Sequence, residues 1–357
     1  MQLPFLSKSK AIVGLDIGSS AIKAVELHTS SKGFEVAHMG MASVPPEAIV
    51  QGAFLNSGAI VDAIREALSN AGVKAKDVCA AVSGHSVIVK KISLPAMTAE
   101  ELEESIRWEA EQYIPFDVNE VNLDFQILRS GSGEGQMDVL LVAAKKDLVD
   151  DYVHVLGEAG LNPVVIDVAA FAVANAFEAN YAADPGTVVA LINVGAQTVN
   201  INIVHDGYPA FTRDISTGGN QYTEEIQKAL SIGFDEAERI KLGNASPEDS
   251  QEVVPQEVDQ AMRAVTEQVL GEITRSLDFF TATSAESRIG RILISGGSAR
   301  VPDFAKAFQD RTNVPVQVLN PFARMLPSKR FDEAYLREMA PFMTVGVGLG
   351  LRRRDDR

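Results

Sequence analysis

Cysteine is almost missing from this sequence: Cys79 is the single one in 357 residues. No internal disulfide framework can form, which fits a reducing compartment. Basic residues are also scarce, with 32 Lys and Arg against 48 Asp and Glu, a net charge of −16 with His neutral. An acidic surface repels phosphate backbones, so sequence-independent binding of DNA or RNA is excluded. Adhesion to anionic lipid by charge alone is excluded for the same reason. No apolar run approaches the ~18–20 residues of a membrane span, since the best stretch, 164–177, is broken by Asp167. Residues 1–10 are too short and too polar for a signal peptide. The five histidines show no metal-ligand spacing, and Cys79, in an apolar run, reads as a small core residue. Neither a Gly-x-Ser-x-Gly elbow nor a Walker-A sequence is present. What the chain does have is length and 46% hydrophobic residues, enough for two domains or lobes at ~150 residues each. The expectation is a cytosolic, two-lobed protein.

Two segments 177 positions apart read alike. Gly14-Leu15-Asp16-Ile17-Gly18-Ser19-Ser20-Ala21-Ile22-Lys23 matches Leu191-Ile192-Asn193-Val194-Gly195-Ala196-Gln197-Thr198-Val199-Asn200, with Asp16 on Asn193 and Gly18 on Gly195. Each is an apolar strand, a tight glycine turn and a second strand, so an internal duplication is expected. Strands and helices otherwise alternate, which points to α/β lobes. Helical spacing predicts helices over 56–71, 221–230 and 256–283, and an exposed acidic loop over 243–256. Thr98-Ala99-Glu100-Glu101 is a capping-box sequence opening a helix with the stripe Leu102, Ile106, Ala110 and Tyr113. Residues 130–135 read as a flexible hairpin tip.

In the first copy, Asp16 falls at a strand end and Gly18 in the turn, where a missing Cβ lets main-chain N–H groups approach a phosphate. Asp16 is then placed to orient the hydration shell of Mg2+, which keeps several waters on phosphates. Ser19 and Ser20 would donate to phosphate oxygens, and Lys23 would balance their charge. An ordinary hairpin with an Asp/Gly turn fits the same residues. In the second copy Gly195 makes the turn, with Gln197 and Thr198 as candidate donors. Asn193 stands where Asp16 stands in the first, a change that phosphate binding survives more easily than hydrolysis. Ser295-Gly296-Gly297-Ser298, between an apolar strand and Pro302, would let a flat base or a diphosphate lie on the backbone near a helix N-terminus. A plain βα turn fits it equally. Glu238 and Lys241, one helical turn apart, either reach a ribose or base edge or form a solvated helix face. Gly218-Gly219 would add a backbone contact.

These features, in this order, resemble the actin, Hsp70 and FtsA superfamily of ATP-binding proteins over nearly the full length. Asp16–Lys23 looks like its first phosphate motif, 193–198 like its second, and 295–298 like its adenosine motif. Residues 165–172 resemble the connecting helix between lobes. Within the superfamily the chain is similar to the PilM family of type IV pilus assembly proteins. The opening 15–23, the segment Ile106-Arg107-Trp108-Glu109-Ala110-Glu111-Gln112-Tyr113-Ile114-Pro115-Phe116 and the closing 346–352 carry that likeness.

The resemblance implies a bilobal, duplicated ribonuclease H-like α/β fold with a small α+β insert. The first lobe would comprise 1–85, 162–186 and 335–357, and the insert 86–161. The second lobe would comprise 187–220 and 288–334, with 221–287 its helical, adenosine-side part. It also implies ATP and Mg2+ between the lobes, and the cytoplasmic N-terminal segment of PilN, an inner-membrane protein, in a groove beside the insert. The protein would then be cytoplasmic, peripheral to the inner membrane through the pilus complex, and a weak ATPase or none. Asp16 through Mg2+, and Asp167, are the candidates to orient a water. The acidic 100–111 helix with the single Trp, Trp108, is either a partner-binding rim or a solvated face flanking the core. Two alternatives stand lower. A small-metabolite kinase needs a second Gly/Asp motif and an Asp base, which are not found. An FtsA-like scaffold needs an amphipathic C-terminal helix, where residues 351–357 are short and polar.

Overall fold

The structure is a computed structural model that describes residues 12–132, 135–182, 186–243, 256–284 and 288–354. Residues 1–10, the centre of the expected tip at 130–135, nearly all of the expected loop at 243–256 and the last three residues of the polar tail lie outside those described. The first half runs β1 (Val13–Ile17), β2 (Ala21–Ser30), β3 (Gly33–Ser43), β4 (Ile49–Val50), β5 (Ala53–Phe54), α1 (Ser57–Ala71) and β6 (Asp77–Val82). It continues through β7 (Val87–Pro95), α2 (Ala99–Ala110), β8 (Val121–Ser132), β9 (Gln136–Lys145), α3 (Lys146–Glu158), β10 (Asn162–Val168) and α4 (Ala169–Asn180). The second half runs β11 (Val188–Val194), β12 (Val199–His205), β13 (Tyr208–Ile215), α5 (Asn220–Leu230), α6 (Phe234–Lys241) and α7 (Gln256–Thr283). It closes with β14 (Ile289–Ser295), α8 (Phe304–Thr312), β15 (Val316–Val318) and α9 (Glu333–Gly350).

The repeat read from the two glycine turns extends to the whole of both sheets. The first has the order β10-β6-β1-β2-β3 and the second β13-β12-β11-β14-β15. In each, a central strand pairs antiparallel with the next strand in sequence and parallel with a later one. Register repeats as well: Asp16 faces Lys23 across β1/β2, and Asn193 faces Asn200 across β11/β12. The fold is therefore a duplicated α/β fold of the actin-like kind.

Helices cover each sheet where their apolar stripes demand it. On the first, Ile60 and Ile64 of α1 and Val155 and Leu156 of α3 share a core with Val13, Leu15 and Ile22. On the second, Val269, Ile273 and Leu277 of α7 join Ile192, Ile201 and Ile294. Helices α4 and α9 fill the space between the sheets, with Cys79 fully buried among them. Glycine makes that fit possible. A Cβ on Gly348 would lie 1.7 Å from the Ala172 carbonyl oxygen, and one on Gly14 2.1 Å from that of Gly346.

The segment 165–172, expected as helix, divides. Residues to Val168 complete β10 on β6, and the helix begins at Ala169. The β-branched run Val164-Val165-Ile166 prefers the pleated edge. A three-stranded sheet, β7-β9-β8, forms a separate small unit in which Leu102, Ile106 and Ala110 of α2 pack on Val139, Leu141 and Ala143 of β9. Thr98 and Glu101 complete the capping box at its head. Helix α3 follows this unit in the chain, but its apolar residues belong to the core of the first sheet.

Candidate functional site

Strands β1, β6, β11 and β14 end at a cavity of about 440 Å3 between the two sheets, the place where open α/β sheets put ligands. Asp16, Gly18, Ser19, Ser20 and Lys23 line one wall. Asn193, Gly195, Gln197 and Thr198 line the opposite wall, Gly296, Gly297 and Ser298 a third, and Glu238 with Lys241 the end. The volume lies within the ~300–1,000 Å3 of small-molecule sites.

The turns are tied to one another. Lys23 Nζ donates to Asp16 Oδ2 at 3.0 Å, and the Gly18 N–H to the Ala21 carbonyl at 3.2 Å. The Gly195 carbonyl accepts the Ser298 hydroxyl at 3.0 Å and the Gly219 N–H at 2.9 Å. Gly296 has φ of +88° and no room for a Cβ, which would sit 2.3 Å from the Val194 carbonyl oxygen. Lys241 Nζ is bonded to Glu238 Oε1, to Thr223 Oγ1 at 3.1 Å and to the Gly219 carbonyl at 3.4 Å. Burial lowers the Lys241 pKa from its ordinary value, and the Glu238 carboxylate works against that shift.

Two residues expected in the cleft take other places, and a third makes its bonds to the opposite lobe. Gly218 and Gly219 do not line the cavity; they pack on the Gly195 turn, where a Cβ at Gly218 would be 2.6 Å from two carbonyl oxygens. Gln197 lines it, but its amide is engaged elsewhere. Its Nε2 donates to the Ile49 carbonyl at 2.9 Å, and its Oε1 accepts the Gln51 N–H at 3.0 Å. Gln197 thus clasps the two lobes together at the cavity wall.

Asp167, the second expected catalytic carboxylate, lies outside this cavity. It is buried at the end of β10, accepts the Val168 N–H at 2.7 Å and faces Arg352 Nε at 3.3 Å. A buried carboxylate needs a counter-charge, and the residues after α9 supply it.

Sequence reasoning missed Tyr152, Ser83, Asn200 and Asn220, all of which line the cavity. Tyr152 comes from α3, far from any glycine motif, and packs against Phe54 with ring centroids 4.7 Å apart and the planes tilted by 34°. Burial, with Asp16 nearby, pushes its phenol well above the usual range, so it stays protonated. The register partner of Asn193 was the one signal for Asn200, because Lys23 holds the same place in the first copy.

A second cavity, about 400 Å3, lies between the small sheet and β10, where Leu123, Phe125, Leu140, Val142 and Phe171 meet Asp124, Asp167 and Arg352. Strand β8 is an edge of the small sheet and β10 an edge of the first sheet. Along β9, Val139, Leu141 and Ala143 face α2, whereas Leu140, Val142 and Ala144 face this groove. The acidic helix α2 therefore covers the opposite face, and Trp108, 77% exposed, does not line the groove.

Two duplicated lobes closing on a cleft at their strand ends, with an α+β unit inserted in the first, define an actin-like bilobal protein. The family profile for type IV pilus assembly protein PilM matches residues 14–354, and the chain belongs to that family. It is similar to the solved PilM in a PilM-PilN type IV pilus biogenesis complex, at 30% identity and a TM-score of 0.84, covering 97% of this chain and 99% of that one. The cell division protein FtsA of Bacillus subtilis (strain 168) is 23% identical over 358 residues, 88% of this chain and 80% of FtsA. MreB5 of Spiroplasma citri bound to AMPPNP has a TM-score of 0.53 at 15% identity, covering 87% of this chain and 92% of that one, a likeness of fold. Among the described residues no helix is long and apolar enough to cross a membrane, and no three His, Cys, Asp or Glu gather as a metal cluster.

Proposed function

We infer that this PilM-family protein is the cytoplasmic ATP-binding component of the type IV pilus inner-membrane platform. Mg-ATP occupies the cleft between the lobes, and the N-terminal segment of PilN lies in the groove between the insert and β10. The observation that carries the nucleotide reading is the convergence of three glycine turns and the Glu238–Lys241 pair on one cavity. The phosphates would lie between the Gly18 and Gly195 turns. Asp16 suits a Mg2+ ion that keeps most of its waters, and Gly296 and Gly297 leave flat backbone for the adenosine. The MreB5 structure with AMPPNP supports a nucleotide on this fold.

Hydrolysis is slow or absent in this reading. Among the described lining residues the only carboxylates are Asp16 and Glu238, each paired with a lysine, so neither is free to take a proton from water. The same pairing speaks against a metabolite kinase, which needs a free base beside the substrate hydroxyl.

The partner reading is supported by the solved PilM-PilN complex and by the groove itself. Its two free strand edges suit an extended peptide adding main-chain hydrogen bonds. Asp124 would attract a basic residue on that peptide. Such a peptide holds the protein at the inner membrane through its partner.

Calorimetric titration with Mg-ATP, and then with the PilN N-terminal peptide, tests both sites. Binding of both is expected, with peptide affinity reduced roughly tenfold in Leu140→Asp, where a charge enters the apolar groove. Peptide binding without Mg-ATP binding would reduce the glycine turns to turns. Mg-ATP binding alone would remove the groove assignment.

A further inference from the structure

From the floor of the nucleotide cavity a single file of hydrogen bonds leads to the root of the insert. Ser295 Oγ donates to Asn193 Oδ1 at 3.2 Å, and Asn193 Nδ2 donates to Asn200 Oδ1 at 3.0 Å. Asn200 Nδ2 donates to Asp214 Oδ1 at 2.8 Å, and Asp214 Oδ2 accepts the N–H of Gly84. Asn193 and Asn200 line the cavity. Gly84 sits between β6 and β7, where the chain leaves the first sheet for the insert. The file thus starts in the second lobe and ends on the first.

An asparagine amide can be turned end for end without changing shape, so its direction has to come from its partners. Here one member leaves no choice. Burial raises the Asp214 pKa, and the bonds from Asn200 and the Gly84 N–H, with His85 nearby, work against that shift. With both oxygens accepting, the carboxylate leaves Asn200 to offer its Nδ2. Its Oδ1 then faces Asn193, which must donate, and the Asn193 oxygen is left for the Ser295 hydroxyl. Each Nδ2 has two N–H groups and uses one in the file, so each amide keeps one donor for a ligand. The direction of the whole file follows from the charge at its far end.

We propose that Asp214 is a positioning residue of the nucleotide cleft: it sets the direction of the Asn200 and Asn193 amides and fastens that arrangement to the insert at Gly84. The cleft then meets a phosphate with N–H groups, and the cavity floor and the insert root move as one. Other contacts between the same elements hold the file in place. His85 Nε2 lies 3.0 Å from Ser216 Oγ, and Thr212 Oγ1 donates to the Val89 carbonyl at 3.3 Å. The direction argument stands on the hydrogen bonds alone. Its effect on nucleotide rests on the proposed function.

Asp214→Asn separates the two. The substituted amide keeps an oxygen for the Gly84 N–H and presents an N–H2 to Asn200, which turns over and turns Asn193 with it. Side-chain amide NMR of the full chain should show the N–H2 signals of both Asn200 and Asn193 displaced, with the Gly84 amide still protected. Mg-AMPPNP affinity should fall roughly tenfold. The double variant Asn200→Asp/Asp214→Asn moves the acceptor-only group one place along the file. It satisfies every partner and returns the Asn193 signals to their original positions. Unmoved Asn193 signals in Asp214→Asn would overturn the proposal, as would unchanged Mg-AMPPNP affinity in a protein whose Asn193 signals had moved. If the parent chain binds no Mg-AMPPNP, the proposed function fails, and the signals of Asn193 still decide the direction.

Discussion

Lys23 and Asp16 illustrate how much one side chain's position depends on its neighbour. The pair forms because β1 and β2 bring the two into register at a glycine turn, with 3.0 Å between Nζ and Oδ2. Gly18 is the residue in that turn least able to change. A Cβ there would lie 2.9 Å from Lys23 Nζ and 3.0 Å from the Ala21 carbonyl oxygen. Gly18→Val pushes branched carbon into the turn proposed to face the phosphates. Crowding of that order costs about 1–3 kcal/mol, so Mg-ATP affinity should fall about tenfold to a hundredfold by calorimetry. Circular dichroism should show both lobes intact, since the turn lies outside the buried clusters.

Helix α2 shows the same dependence one level up. Its start was legible residue by residue, since Thr98 and Glu101 make the capping box their spacing announces. The bond from the Thr98 backbone N–H, and then that from its hydroxyl, holds the Glu101 carboxyl below its ordinary value. A carboxyl lowered by folding favours the helix above its unfolded pKa, and the benefit goes as pH falls through the lowered folded one. Acid titration should therefore fray the first turn of α2 below the ordinary Glu range. Fluorescence of Trp108, on the same helix and the only tryptophan, reads the change. In Thr98→Ala that acid step should shrink but persist, because the hydroxyl bonds are lost while the backbone N–H at 98 still holds the Glu101 carboxyl. Which side α2 faces was not legible: acidity and a lone Trp suit a partner rim and a solvated face alike, and the strand alternation of β9 puts the cavity lined by Leu140 and Val142 on the other face.

Across the whole molecule, polar contacts reaching over the cleft add to the apolar core of α4 and α9 that joins the two sheets. Gln197 provides two, to Ile49 and Gln51 on the β4–β5 hairpin. Gln51 itself has φ of +50°, a conformation that a non-glycine residue keeps only when held. Gln197→Ala removes the hold. At about 1 kcal/mol per net hydrogen bond, the Gln51 amide should exchange with solvent at least fivefold faster. Amide exchange elsewhere in the two sheets should stay as it was. Equal exchange at Gln51 in both proteins would mean that the lobes are held by other contacts.

The duplication, the α/β character, the helix at α1, the long helix α7 and fourteen of the residues expected to line the cleft could be read from spacing, because glycine turns, capping residues and periodicity are local. Tertiary structure alone decided the rest. Gly218 and Gly219 became the support of another turn, Gln197 a clasp, and Asp167 the partner of Arg352 in a different cavity. Tyr152 entered the cleft from α3, which carries no motif, and Asn200 from the strand after the second glycine turn. Residue type sets what a side chain can bond to, whereas the chain brought alongside it decides which of those bonds it makes.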